Sequence, residues 1–402
     1  MLLKDVGMSA QQIKDLTNKY MIETYKRFDF VCERAEGHYL YADNGDRYLD
    51  FYGGVAVNNA GNCHPKVVAA VQEQVAQLMH TFNYPYTIPQ ALLAERVCEA
   101  LGYDKIFYQN SGTESNEAMI KLARKYGIDN FGPNKYHILT GKGSFHGRTY
   151  GSLAATGQVG NVLQKNFGPM LDGFTYCEYG NLADYEKNIT ENTIAILIEP
   201  IQAEGGVIVP TKEFVQGLAG LCKKHGLLLL SDEIQTGWCR TGKVMGYEHY
   251  DVKPDIISMA KGIGGGMPIG GICTTNELAK TFGLGEHGTT YGGNVVCCAA
   301  AYAQVGVLLE ENFAGKAHEI GTYFMEKLAK MPRVKEVRGK GLLVGVQLDG
   351  DISVAVKEQG IKRKLLTTSI GTSIVRMVPP LTVTKAECDE AVAILTEAIN
   401  AV

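Results

Sequence analysis

Between residues 105 and 260 the chain repeats one pattern, and that pattern restricts its possible folds more than any other feature. A short, continuous apolar run is followed by polar or glycine-rich residues and then by residues at helical spacing. The runs are KIFYQN (105–110), YHILT (136–140), IAILIEP (194–200), LLLLSDE (227–233) and DIISMA (255–260). A strand with one wet face alternates apolar and polar residues, whereas a strand that is apolar throughout needs cover on both faces. Strands of the second kind, alternating with helices, predict an α/β fold with a mainly parallel central sheet covered by helices. Ligands of such sheets bind beyond the carboxyl ends of the strands. The polar residues that end these runs are therefore the first candidates for function.

The flanks read differently. Residues 38–52, HYLYADNGDRYLDFY, alternate around an Asn-Gly pair and predict a β-hairpin. A helix is expected over 64–80, opening at His-Pro. A long Ala-rich helix over 295–310 leads to VKEVRGKGLLVGVQL (334–348) and SIVRMVPPL (373–381), which indicate a smaller α+β unit. The expected division is residues 1–60 as an N-terminal segment of the small domain, 61–300 as the large domain, and 301–402 as the C-terminal small domain. No repeat, low-complexity tract or Pro/Ser-rich linker separates them, so the parts should pack together.

Composition narrows the partners. A net charge of -4 on 402 residues leaves no basic excess to neutralise nucleic-acid phosphates. The ten cysteines are scattered, with no C-x-x-C pair. They read as small apolar residues in a reducing compartment, not as a metal or disulfide framework. Cys297 and Cys298 are expected to line a buried helix. The N-terminus, MLLKDVGMSAQQIKD, lacks the apolar core of a signal peptide. No apolar run approaches the length needed to span a bilayer. A cytoplasmic protein with no membrane or nucleic-acid partner is the expectation.

Four segments carry candidate chemistry, each with a plainer alternative. Lys261 follows DIISMA and precedes the glycines of GIGGGMP. It is either a solvated lysine or a partly desolvated amine able to attack a carbonyl. Asp232 ends LLLLSD, where a carboxylate needs a partner. It forms a structural ion pair or cap, or it pairs with a protonated pyridine nitrogen and makes that ring an electron sink. Gln235, three residues on, could donate to a phenolate oxygen. In NSGTESNEAMIKLAR (110–124), Ser111, Gly112 and Thr113 turn the chain into a helix. That start is an N-cap with Glu114 in the first turn, or an anion site built from backbone N–H groups and hydroxyls. In GEHGTTYGGN (285–294), Thr289 and Thr290 sit in a loop that is a simple turn or a second phosphate contact.

Taken together, the segments DFYGGVAVNNAGNCHP (50–65), NSGTESNEAMIKLAR, SFHGRT (144–149), EPIQAEGG (199–206), SDEIQTG (231–237), RTG (240–242), PDIISMAKGIGGGMPIG (254–270) and HGTTYGGN (287–294) resemble the class III, ω-amino-acid aminotransferases of the pyridoxal-phosphate fold-type I superfamily. The resemblance runs over nearly the whole chain, and Asp232 and Lys261 are 29 residues apart as it requires. It implies pyridoxal 5'-phosphate as cofactor, with Lys261 as the Schiff-base lysine that also shuttles the proton and Asp232 at the pyridine nitrogen. It assigns Gln235 to the phenolic oxygen, Phe145 and Ile234 to the two ring faces, and Ser111, Gly112 and Thr113 to the phosphate. Thr290 is implied to reach the phosphate of a neighbouring subunit, which makes the active unit a homodimer.

On the substrate side, the resemblance gives Arg148 the carboxylate remote from the reacting amine, with Thr289 nearby. Arg376 takes the α-carboxylate of glutamate, and Glu204 covers Arg376 when the substrate has no carboxylate there. Within the family, the implied reaction moves the terminal amine of N-acetylornithine to 2-oxoglutarate, and no metal is expected. Ornithine, 4-aminobutyrate and succinylornithine are the alternative amines. Ornithine-specific members carry a tyrosine near the GGVAV segment that helps hold free ornithine, and Val55 and Val57 in that segment argue against that substrate. A decarboxylase or aminomutase, or a cofactor-binding relative without turnover, would be further readings; the presence of Lys261, Asp232 and Arg148 argues against the last. Ala203, Trp238-Cys239 and Val295 depart from the family pattern, and Ala203 and Trp238 are expected to reshape the substrate entrance.

Overall fold

A computed structural model describes residues Met1–Val402. The N-terminal part forms strands β1 (Cys32–Glu36), β2 (Tyr39–Ala42) and β3 (Arg47–Asp50). β2 and β3 are the antiparallel hairpin around Asn44-Gly45, with Leu40 opposite Tyr48. Gly45 has φ +84, a conformation that glycine adopts without steric penalty.

The central sheet is made of β4 (Lys105–Gln109), β5 (His137–Gly141), β6 (Phe174–Cys177), β7 (Thr193–Ile198), β8 (Leu228–Asp232), β9 (Ile256–Met259) and β10 (Gly270–Thr274), in spatial order β4-β10-β9-β8-β7-β5-β6. Every residue of β7, β8 and β9 is buried, as uninterrupted apolar runs require. The five runs singled out in the sequence are five of the seven strands. The other two carry no such run, for local reasons. β6 is a four-residue strand at the sheet edge, and β10 begins at Gly270-Gly271 inside what reads as a glycine-rich loop. β10 pairs antiparallel with both β4 and β9, and all other neighbours in this sheet are parallel. The carboxyl ends of β4, β5, β7, β8 and β9 therefore share one edge.

Helices Pro65–Gln77 and Val295–Glu310 lie where the sequence puts them. The second is buried over most of its length, Cys297 and Cys298 included. Val295 occupies its first turn, a position that favours proline. Asn294 caps that turn instead, accepting from the N–H groups of Val296 (2.9 Å) and Cys297 (3.2 Å).

The last third contributes β11 (Val334–Lys340), β12 (Leu343–Leu348), β13 (Leu365–Leu366), β14 (Thr368–Ile370) and β15 (Ile374–Met377). β11, β12, β15 and β14 form a separate antiparallel sheet, whereas β13 crosses to pair in parallel with β3. A single apolar cluster runs from Phe51 through Leu93, Val97, Cys298 and Val305 to Phe324, Val344 and Leu395. It welds the two ends of the chain to the central sheet. No helix is long and apolar enough to cross a membrane.

Candidate active site

The carboxyl edge of the central sheet opens into a cavity of about 420 Å³. Each strand delivers its lining in turn. β4 leads to Asn110–Thr113, β5 to the loop carrying Phe145–Arg148, β7 to Glu199, β8 to Asp232, Ile234 and Gln235, and β9 to Ala260 and Lys261. Residues as distant in the chain as Asn110 and Lys261 meet here only because parallel strands share an edge.

Asp232 is 4% exposed. Its Oδ2 accepts hydrogen bonds from Asn116 Nδ2 (2.7 Å) and His146 Nδ1 (2.8 Å), and its Oδ1 accepts from the Ile234 N–H (3.0 Å). Asn116 is itself held, since its side-chain oxygen accepts from Ser258 Oγ (2.6 Å) and its Nδ2 also donates to the His146 carbonyl (2.7 Å). The carboxylate is thus fixed by donors from three elements while still lining the cavity. Sequence reasoning does not single out Asn116 or His146. The available signal is a polar residue on the helix face that otherwise buries Met119 and Ala123.

Lys261 stands at the start of a one-turn helix with φ +47, a left-handed conformation rare for a side-chain-bearing residue. Burial lowers its pKa; Glu204 opposes that effect, Arg376 adds to it, and the net direction is downward. A lysine so placed holds more neutral amine near neutral pH than a surface lysine. Glu199 also lines the cavity. Its carboxylate accepts from the Phe145 N–H (2.9 Å), and burial together with the nearby Asp232 drives its pKa well above the ordinary range.

The helix Gly112–Phe131 points its N-terminus into the cavity. Ser111 caps it, its Oγ accepting from the Glu114 N–H at 3.3 Å, and Ser111, Gly112 and Thr113 all line the space. Ser111 thus caps the helix while the same helix start faces the cavity. A Cβ on Gly112 would lie 2.8 Å from Ile234 Cγ2, so only glycine lets the helix start approach that wall. Thr113 Oγ1 bonds Ser152 Oγ (2.6 Å) and Thr149 Oγ1 (2.8 Å) and accepts from the Arg148 N–H (3.3 Å). It thereby shapes the loop that presents Arg148. The Arg148 side chain is solvent-exposed, and its guanidinium lies 5.2 Å from the centroid of the Phe145 ring.

Beside the cavity, Arg376 Nη1 is ion-paired with Glu204 Oε1. Gln235 joins them, accepting from Arg376 Nη1 (3.2 Å) and donating to Glu204 (3.3 Å). Arg376 is 4% exposed and its Nε donates to Thr368 Oγ1 at 3.1 Å. Burial pushes the Glu204 carboxyl up, but Arg376, Lys261 and Gln235 outweigh it and leave it below the usual range. Thr289 and Thr290 do not line the cavity of a single chain. Thr289 Oγ1 accepts from Asn110 Nδ2 (3.1 Å), and Thr290 is exposed.

Ala203 and Trp238 correct one expectation. Both are fully buried, and neither lines the cavity. Ala203 packs with Ala56, Val207, Leu343 and Val378. Trp238 belongs to the main core, so neither residue can shape the entrance directly.

Comparison with known proteins fits this geometry. A family model described as "Aminotransferase class-III" matches residues 20–399. The chain belongs to the class III aminotransferases. Members of this family depend on pyridoxal phosphate. The acetylornithine aminotransferase of Caldanaerobacter subterraneus subsp. tengcongensis is 41% identical over 386 residues, covering 95% of this chain and 98% of that protein. The acetylornithine aminotransferase of Methanocaldococcus jannaschii is 40% identical over 394 residues, covering 97% and 98%. Among solved structures, an ornithine aminotransferase from Toxoplasma gondii with partial occupancy of pyridoxal phosphate at its active site superposes with a TM-score of 0.93 at 30% identity, covering 98% of this chain and 95% of that one.

Proposed function

We propose that this class III aminotransferase moves the terminal amino group of N-acetylornithine to 2-oxoglutarate, giving N-acetylglutamate 5-semialdehyde and glutamate, with pyridoxal 5'-phosphate as cofactor. The observation that carries the reading is the meeting of Lys261 and Asp232 in one cavity, reached from one side by Arg148 and bordered on another by Arg376. The names of the curated relatives favour N-acetylornithine over ornithine, and Val57 in the lining agrees with that choice.

The donor set fits the cofactor. An anchored carboxylate suits a protonated ring nitrogen, an amine of lowered pKa suits an aldehyde, and a helix N-terminus with Ser111, Gly112 and Thr113 suits a phosphate. Phe145 and Ile234 supply apolar surface for the ring, and Gln235 a donor for its phenolic oxygen. When bound, pyridoxal phosphate supplies a carbonyl for the amine and a ring that takes up electrons as the substrate carbon loses its proton.

The chain's own residues do the rest. Lys261 Nζ would take up the proton that the substrate carbon loses and hold it for its return. Asp232 presents its carboxylate in one fixed orientation because Asn116, His146 and the Ile234 N–H hold it. Arg148 binds the carboxylate of N-acetylornithine or the distal carboxylate of 2-oxoglutarate. The Glu204–Arg376 pair is a gate. Closed, it satisfies the buried guanidinium in the amine half-reaction; opened, it gives Arg376 to the α-carboxylate of 2-oxoglutarate.

We also propose that residues 1–60 and 301–402 together form one small domain beside 61–300, since β13 joins β3 and so links the two terminal segments. A homodimer completes the site, with Thr290 of each protomer directed to the phosphate of its partner. The exposed apolar side chains of Tyr84, Tyr86 and Ile88 beside this loop support that assembly. The test is a panel of ω-amines assayed with 2-oxoglutarate on the holoenzyme. N-acetylornithine should give the highest kcat/KM, and a clear preference for ornithine or 4-aminobutyrate would overturn the substrate assignment. Lys261→Ala should abolish turnover, and transamination retained in that variant would refute the lysine's role.

A further inference from the structure

Arg240 opens the RTG segment, which the chemistry above does not use. It is 0% exposed, yet its guanidinium meets no carboxylate. Its partners are three neutral oxygens: the Leu342 carbonyl (3.0 Å), the Pro379 carbonyl (2.5 Å) and Asn59 Oδ1 (2.7 Å). Buried Asp50 offsets part of the burial cost from a distance, but every direct partner is neutral, and burial still lowers the guanidinium pKa. The direct contacts therefore serve to join what the planar fork grips.

The three oxygens belong to three segments. Pro379 lies three residues beyond Arg376 on the same passage of chain. Leu342 is in the turn between β11 and β12, and β12 pairs with β15 so that Gly345 faces Arg376. Asn59 leads the other way. Its Nδ2 donates to the Trp238 carbonyl (2.7 Å), and a Cβ built on Gly262 would lie 2.4 Å from that nitrogen. Asn59 therefore presses on the residue that follows Lys261. The Asn59 carbonyl also accepts from the Leu381 N–H at 2.8 Å.

The backbone around this junction has little freedom. Trp238, Cys239 and Lys261 all hold left-handed φ values of 57, 71 and 47, which persist only where surroundings enforce them. A Cβ on Gly341 would sit 2.4 Å from the Thr241 carbonyl carbon, so the RTG turn touches the β11–β12 turn backbone to backbone. The Leu342 N–H closes the contact by donating to the Arg240 carbonyl (2.9 Å).

We propose that Arg240 and Asn59 are positioning residues that set where the Arg376 guanidinium stands relative to the Lys261 amine, and so how well the site seats the α-carboxylate in the 2-oxoglutarate half-reaction. This rests on the reading that Arg376 binds the α-carboxylate. Arg148 is carried by a different strand end and lies outside the clamp. Lys261 serves both halves, so disturbing the clamp should act more strongly on the oxo-acid half, which alone needs Arg376, than on the amine half.

The test uses the holoenzyme with Arg240→Lys, Asn59→Ser and Arg376→Ala. Calorimetry measures the Kd of glutarate, a dicarboxylate without an amine, and steady-state kinetics give a Michaelis constant for each substrate. Arg240→Lys keeps the charge and loses the fork. It should weaken glutarate binding and raise the Michaelis constant for the oxo acid about tenfold, while that for N-acetylornithine changes less than about twofold. Asn59→Ser should act in the same direction and carries the test alone if Arg240→Lys does not fold. Equal losses for both substrates, tracking a fall in Tm, would mean plain structural cement and overturn the proposal, as would unchanged glutarate affinity in folded variants. If Arg376→Ala leaves glutarate and 2-oxoglutarate unaffected, the assignment of Arg376 falls and takes the clamp with it. If Arg376→Ala weakens both but the clamp variants do not, only the clamp fails.

Discussion

Asp232 illustrates what a single residue can and cannot disclose. Its place at the end of an apolar strand marks it as functional or paired, but two of its three donors come from residues 116 and 146. Removing one of them tests how far the carboxylate depends on this support. Hydrogen bonds to charged groups contribute about 1.5–3 kcal/mol. Asn116→Ala should accordingly lower kcat/KM roughly ten- to a hundredfold, with the global fold, read by circular dichroism, unchanged. Glu204 yields a prediction of opposite sign for its two substrates. Glu204→Gln removes the carboxylate that competes for Arg376. The oxo acid should then bind more tightly and N-acetylornithine more weakly, as measured in separate half-reactions.

At the scale of elements, the hairpin β2–β3 and the helix Lys385–Asn400 are stapled by one histidine. His38 Nδ1 lies 2.6 Å from Glu387 Oε1, and its Nε2 lies 2.7 Å from Thr382 Oγ1. Glu387 also accepts from the Thr384 N–H, completing the cap of that helix. Burial raises the pKa of Glu387, but His38 and Thr384 outweigh it and draw it from 4.5 down to about 2. A depressed carboxyl stabilises the fold above its unfolded value and loses that contribution as pH falls through the folded one. Urea midpoints should therefore drop between pH 4.5 and 2, and Glu387→Gln should flatten that part of the profile. This staple joins residues 349 apart. Neither the Asn-Gly hairpin signal nor the helix period at the C-terminus hints at it.

At the scale of the molecule, a single chain leaves Tyr86 and Ile88 exposed at 107% and 76%. They belong to the 79–92 segment, which is tied to the threonine loop by Asn83 Nδ2 donating to the Gly292 carbonyl (3.1 Å) and Gln90 Nε2 to the Gly293 carbonyl (2.7 Å). An apolar strip fastened to a loop that would serve a partner's phosphate calls for a second copy. Sedimentation should find a dimer, and the double variant Tyr86→Asp, Ile88→Asp should sediment as monomer and lose cofactor and activity together. A monomeric wild type with full activity would refute this.

Local pattern alone was enough for five of the seven central strands, the hairpin and the long buried helix, and it put polar residues at the strand ends, because apolar runs, turn pairs and caps act over a few neighbours. The tertiary structure decided the rest: that β10 runs antiparallel, that β13 crosses to the N-terminal hairpin, that Asn116 and His146 hold Asp232, and that Trp238 and Ala203 lie in the core, away from the entrance. Each of these depends on which distant segments share a neighbour, and no periodicity along the chain encodes that. Arg240 shows the difference most plainly. Its position in the chain suggests a charged turn, and only packing turns it into a fork that grips three separate stretches of backbone and side chain.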